Sequence, residues 1–141
     1  MPCFDLHGTP GQGWVGFDLD GTLAVYNGWH GIQHIGEPIK PMCELAKRLH
    51  ENGIPVKIVT ARVATLPGDD FDDFEGGPRL DYVEAKYARR AIEDWCRLNL
   101  GFVPEITNEK DKQMLWLVDD RAIQVEQNTG RIIGEAPWVF E

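Results

Sequence analysis

Basic residues are scarce in this 141-residue chain: 14 Lys and Arg stand against 23 Asp and Glu, for a net charge of -9. Extended nucleic-acid contacts rest on a basic face, so this balance argues against a general polyanion binder and disfavours a nucleic-acid end as substrate. An acidic protein can still hold a small phosphate through a metal. Cysteine is scarce too. Cys3, Cys43 and Cys96 are three in number, widely spaced and without a C-x-x-C pair, which suggests neither a disulfide framework nor a zinc site and fits a reducing cytoplasm. No apolar run approaches the roughly eighteen residues of a membrane span. The first thirteen residues have neither the basic n-region nor the apolar h-region of an export signal, so neither export nor a membrane partner is expected. Repeats are absent, as are low-complexity tracts beyond an acidic stretch at 69–75.

What is present is the composition of one globular domain over 1–141: 43% hydrophobic and 26% charged residues, at a length that can bury a real core. The stretch on which the chain is organised is 13–22, G-W-V-G-F-D-L-D-G-T. Its apolar run is long enough for a short buried strand, predicted at 14–18, and it stops in two carboxylates spaced i, i+2 followed by Gly-Thr. Such a strand carries Asp18 and Asp20 to its C-terminal lip, where Gly21 lets the chain bend sharply. A plain turn or a calcium loop also contains D-x-D-G. The calcium loop needs further oxygen ligands at alternate positions, and Leu23 to Tyr26 do not supply them.

The residues that follow, up to Glu37, carry Tyr26, Trp29, His30 and His34 among three glycines and have no period, which predicts a loop or small hairpin over the strand end. Loop aromatics ordinarily pack on the body of the protein, and that is the expectation for Trp29. Pro38 and Pro41 open a helix whose apolar face holds Ile39, Met42, Cys43, Ala46 and Leu49, and Gly53 is placed to end it. A second strand at 54–59 ends in Thr60-Ala61-Arg62. Strand, helix, strand is a parallel crossover. After the patternless stretch 63–80, with its acidic segment read as a solvated lid, a second helix starts at Asp81 and closes at Gly101, with Val83, Ala85, Ala88, Ile92 and Trp95 on one face. A third strand is predicted at 103–107. Asn108 then caps a short helical turn carrying Lys110, followed by a fourth strand at 114–118 that ends in Asp119-Asp120. Last comes a hairpin in which Ile123 and Val125 face Ile132 and Ile133.

Three apolar strands thus stop at polar signatures: Asp18-x-Asp20, Thr60 and Asp119-Asp120. In a parallel α/β sheet the strand C-termini share one edge, and ligands bind in the crevice there. Four carboxylates gathered at one edge repel one another unless a cation compensates them, and hard oxygen ligands with open positions suit Mg²⁺.

D-L-D-G-T at 18–22, the run ending in Thr60, the lysine at 110 and the acidic pair at 119–120 resemble, in order, the four motifs of the haloacid dehalogenase-like (HAD) superfamily. The resemblance covers essentially the whole chain. It implies a Rossmann-like parallel sheet of order 5-4-1-2-3 with helices on both faces, to which the C-terminal hairpin is added. It also implies a Mg²⁺-dependent phosphomonoester hydrolase. On that resemblance Asp18 is the nucleophile that forms an aspartyl-phosphate and a metal ligand. Asp20 is the general acid and base, with its backbone carbonyl on the metal. Thr60 and Lys110 bind the phosphoryl group, Lys112 being the alternative lysine, and Asp119 and Asp120 complete the metal site. Arg62 reaches the phosphate or pairs with a carboxylate of the site, and Arg121 is structural. The slots where the superfamily inserts a cap are too short here for a domain, so the site is expected to be open, or roofed by loops or by a second subunit, and to take a small phosphorylated substrate. Two alternatives remain at this point: a phosphotransferase or phosphomutase, and a non-catalytic phospho-acceptor module. Receiver modules of that last kind place the acidic pair first and the lysine last, the reverse of the order here.

Overall fold

Four strands form a parallel sheet: β1 (Trp14–Phe17), β2 (Val56–Val59), β3 (Glu105–Thr107) and β4 (Met114–Val118), in the order β3-β2-β1-β4. The computed structural model describes residues 13–64, 80–138 and 140, with the side chains of 80–83 left aside. The lead-in at 1–12, the acidic lid and the side chain of Val83 lie outside what is described, and a fifth strand is not found among the described residues. β1 is central, so the chain is an α/β protein with Asp18 at the middle of the sheet's C-terminal edge.

Helix α1 (Lys40–Glu51) begins after Ile39 with a proline in its first turn, where the missing N–H has no intrahelical partner to lose, and buries Cys43, Ala46 and Leu49. Its end is set by Gly53, at φ +79°. Helix α2 (Leu80–Asn99) buries Ala85, Ala88, Ile92, Trp95 and Cys96. Both helices join one apolar cluster with Val15, Phe17, Val56, Ile58 and Ile106, so they lie on the same face of the sheet. Helices were expected on both faces; the two among the described residues share one. Two successive right-handed crossovers that step in one direction, β1 to β2 to β3, place their helices on one side.

The opposite face is finished by side chains. Trp14 lies across Gly16, where an added Cβ would come within 2.9 Å of both the indole and Val59. The Lys57 ammonium stands 4.6 Å from the Trp14 ring centroid and pairs with Glu105 at 3.0 Å. The Trp14 indole N–H donates to Asp111 Oδ1 at 2.9 Å, which pins the link between β3 and β4 against this face. That hydrogen bond, above all, holds the Asp111 carboxyl below the usual carboxylate range. The link contains no helical turn. The Glu109 and Gln113 amides donate to Thr107 Oγ1 and Asp111 Oδ1, and Asn108 caps nothing.

The C-terminal segment makes a tight loop with one antiparallel bridge, Val125 to Ile132, turned through Asn128 and Gly130 at φ +66° and +79°. It is a hairpin bend without strands. Among the described residues no helix is long and apolar enough to cross a membrane.

Candidate active site

The D-L-D-G-T segment leaves β1 by winding around one carbonyl: Leu19 O accepts from the amides of Thr22, Leu23 and Ala24. The side chains of Leu19 and Leu23 are fully buried, which roots the turn in the core and turns Asp18 and Asp20 outward. The hydrogen bonds among the described residues leave the Asp20 carbonyl oxygen unused.

Gly21 is required twice over. Its φ is +92°, and a Cβ there would stand 2.5 Å from Asp120 Oδ2. The Asp120 amide donates to Thr22 Oγ1 at 3.1 Å, and that hydroxyl donates back to Asp120 Oδ1 at 3.2 Å. Thr22 therefore couples two strand ends that are 98 residues apart in sequence. The Asp119 carboxylate is held by the Arg121 amide at 2.7 Å.

The result is three carboxylates, Asp18, Asp119 and Asp120, with one oxygen of each lying within 4.8 Å of the others. Burial first, then a hydrogen bond with Asp120 and the charges of Asp119 and Asp120, push Asp18 up to about 7. Oxygen-only donors at this spacing, with mutual repulsion left uncompensated by any lysine, fit a hard divalent cation such as Mg²⁺.

The Asp20 carboxylate does not join them. Arg62 takes it as a fork, Nε to Oδ2 at 2.7 Å and Nη2 to Oδ1 at 2.8 Å. The guanidinium is nearly buried, its side chain only 6% exposed. It also donates to the carbonyls of Ile32 and His34, which ties the 25–37 loop to the site. Of the two roles open to Arg62, pairing with a carboxylate is the one observed. Thr60 is buried at the end of β2, where its hydroxyl accepts from the Arg62 amide at 3.2 Å and caps the short 3-10 turn Ala61–Val63.

These groups line one open cleft of about 330 Å³, with Asp18, Asp20, Thr60, Arg62 and Asp120 in its wall. Lys110 and Lys112 are exposed and line no part of it. The reason is Asp111, which sits between them and is anchored to Trp14 at the start of β1, the end away from Asp18. The cleft's cations are instead Arg62 and Arg121, the latter expected to be only structural.

Tyr26 and Trp29 also form part of the wall. Trp29 does not pack on the body. Its ring lies 4.8 Å from the Arg62 guanidinium carbon and is 56% exposed. Aromatics set between glycines in a loop that follows an acidic strand end were the available signal. Thr22 had no such signal, because its link to Asp120 is wholly tertiary. The thiols of Cys43 and Cys96 are buried in the core away from the cleft, and burial pushes Cys96 up to about 12, so neither supplies a thiolate.

No family model matches the chain, and no curated protein matches it. One solved structure that it resembles is that of a conserved protein coded by a locus from Bacteroides thetaiotaomicron. The two are 21% identical, with a TM-score of 0.47, over 78% of this chain and 77% of that one. At that distance the chemistry rests on this chain's own residues.

Proposed function

We propose that this protein hydrolyses phosphate monoesters through an aspartyl-phosphate on Asp18. The observation that carries the reading is the meeting, at the C-terminal edge of a parallel sheet, of the Asp18, Asp119 and Asp120 carboxylates, two of which, Asp18 and Asp120, line one cleft with Asp20 and Thr60. The order of motifs along the chain supports it, as does the position of β1 between β2 and β4, which agrees with the sheet of the HAD superfamily that the sequence resembles.

Asp18, Asp119 and Asp120 would hold Mg²⁺, with the free carbonyl of Asp20 beside them. The ion would neutralise phosphoryl charge and keep Asp18 ionised at neutral pH. A carboxylate oxygen of Asp18 attacks phosphorus, and the bond from phosphorus to the leaving oxygen breaks. Asp20 gives that oxygen its proton. Water then attacks the phosphorus, Asp20 takes the water's proton, and the acyl-phosphate bond breaks to release phosphate and restore Asp18.

Both Asp20 oxygens are engaged by Arg62, so the leaving oxygen has to compete with the guanidinium. Phosphoryl oxygens are a strong alternative partner for an arginine fork. Substrate draws Arg62 off Asp20 and frees it to carry the proton. Arg62 and Arg121 thereby fill the charge-neutralising role that the motif order gave to Lys110. Thr60, whose hydroxyl proton is not engaged by Arg62, donates to the phosphoryl group. An open cleft admits water to the phosphorylated Asp18, which favours hydrolysis over transfer to a second acceptor.

Purified protein with Mg²⁺ is expected to release p-nitrophenol from p-nitrophenyl phosphate. EDTA should stop it, and Asp18→Asn should reduce it at least about a thousandfold. Turnover that survives EDTA or persists in the Asp18→Asn protein contradicts the mechanism.

A further inference from the structure

Resting on the phosphomonoesterase reading, we propose that Trp29 is a stacking platform for the base of a nucleotide, so that the substrate class is a phosphomonoester carrying a planar heteroaromatic group. Singly exposed apolar side chains are common and need no explanation. Trp29 differs in what holds it. One face of its indole lies on the Arg62 guanidinium, 4.8 Å from ring centroid to guanidinium carbon. That guanidinium is itself fixed by both oxygens of Asp20 and by two loop carbonyls. The ring is thus backed by a buried cation, which the Ile32 and His34 carbonyls still hold when substrate takes it from Asp20, while the residue stays 56% exposed. It is a preorganised surface with a free face at the mouth of the cleft, and preorganisation is what lets stacking contribute to affinity.

Its position suits a nucleotide. The indole meets the face of the guanidinium and the Asp20 carboxylate its edge, so ring and carboxylate are neighbours in one cleft wall. Tyr26, 48% exposed, lines the same cleft as a second ring. The backbone permits the presentation: Gly28 and Gly31, at φ +103° and +102° with open space around them, flank Trp29 at the loop tip. The base of the loop is closed by the Val25 amide to the Glu37 carbonyl, 2.8 Å, and by the Trp95 indole to the Gly36 carbonyl, 2.9 Å.

Base stacking on an aromatic ring is tolerant of base identity. A base can arrive on a free mononucleotide or at the end of an oligonucleotide, and the net charge of -9 disfavours the longer polyanion.

The test compares kcat/KM with Mg²⁺ for three substrates: a nucleoside monophosphate, a short single-stranded oligonucleotide with a terminal phosphate, and glycerol phosphate. The proteins are wild type, Trp29→Ala and Trp29→Phe. Wild type is expected to prefer a nucleotide substrate to glycerol phosphate by at least about tenfold. Trp29→Ala should lower that preference about five- to hundredfold, the range of a lost base stack, and Trp29→Phe should restore most of it. The ratio of two rates in one preparation does not depend on the folded fraction, so loss of structure cannot imitate the result. A better rate on the mononucleotide than on the oligonucleotide identifies the free nucleotide as the source, and the reverse identifies the strand end. Equal rates on nucleotide and glycerol phosphate in wild type, or an unchanged ratio in Trp29→Ala, overturn the platform while leaving the phosphatase reading standing. Hydrolysis of none of the three overturns the platform, and the phosphatase reading falls with it only if p-nitrophenyl phosphate, assayed beside them, is not hydrolysed either.

Discussion

Asp18 is the residue on which burial and charge act most clearly. Its carboxyl is pushed up to about 7 by burial, by a hydrogen bond with Asp120 and by the charges of Asp119 and Asp120. The unfolded chain releases this proton near the ordinary carboxylate value of about 4. The folded protein therefore holds more protons between about pH 4 and 7, and in metal-free protein this group's contribution to stability falls as pH rises through that window. Asp18→Asn removes the charge and keeps the shape. Above about pH 8 the metal-free Asn protein is expected to melt higher than wild type by roughly 3–6 °C. That corresponds to about 1–2 kcal/mol after discounting for the water that reaches this half-buried group. The gap should close as pH is lowered towards 4. Thermal melts in EDTA across pH check this, and a gap independent of pH, or a less stable Asn protein above pH 8, counts against the carboxylate cluster. Asp18 and Asp20 were legible in the sequence because an apolar run ends in them. Their different partners were not, since the clamp on Asp20 comes from Arg62, 42 residues away.

At the level of elements, the strands were the easiest to read. β1, β2 and β4 are short, mainly apolar runs closed by a polar residue, and the predicted 114–118 coincides with Met114–Val118. Helix α1 was marked by proline at its start and Gly53 at its end. The link from β3 to β4 was not legible. Its path depends on where Trp14 lies, because the indole of Trp14 fixes Asp111, and Lys110 beside it is no part of the cleft wall. The 25–37 loop could be recognised as patternless, but its attachment could not, because it hangs from the side chains of Arg62 and Trp95. In Arg62→Ala the middle of this loop loses both carbonyl ties and Asp20 loses its only ion-pair partner among the described residues. A cost of about 1–3 kcal/mol is expected. Backbone amides of residues 29–34 should exchange with deuterium faster, while those of β1 and β2 keep their protection relative to the global stability. Unchanged exchange in 29–34 means that Arg62 does not organise the loop.

At the scale of the molecule, the described residues form a two-layer arrangement: one sheet and one layer of helices, with Trp14, Lys57 and the β3–β4 link on the other sheet face. Class and strand content followed from periodicity. The side taken by the helices followed only from strand order, which brings both crossovers to one face. That layout leaves the C-terminal edge open above β1, and the groups that converge there come from β1, β2, β4 and the loop after β1. The claim that unites these features is covalent: phosphate passes through Asp18. It is tested most directly by acid-quenching the protein during turnover of p-nitrophenyl phosphate with Mg²⁺ and mapping the phosphorylated peptide by mass spectrometry. Acyl-phosphate on Asp18 is the expected result. Turnover with no phosphate on the peptide that holds Asp18, or with phosphate carried by another residue, contradicts it.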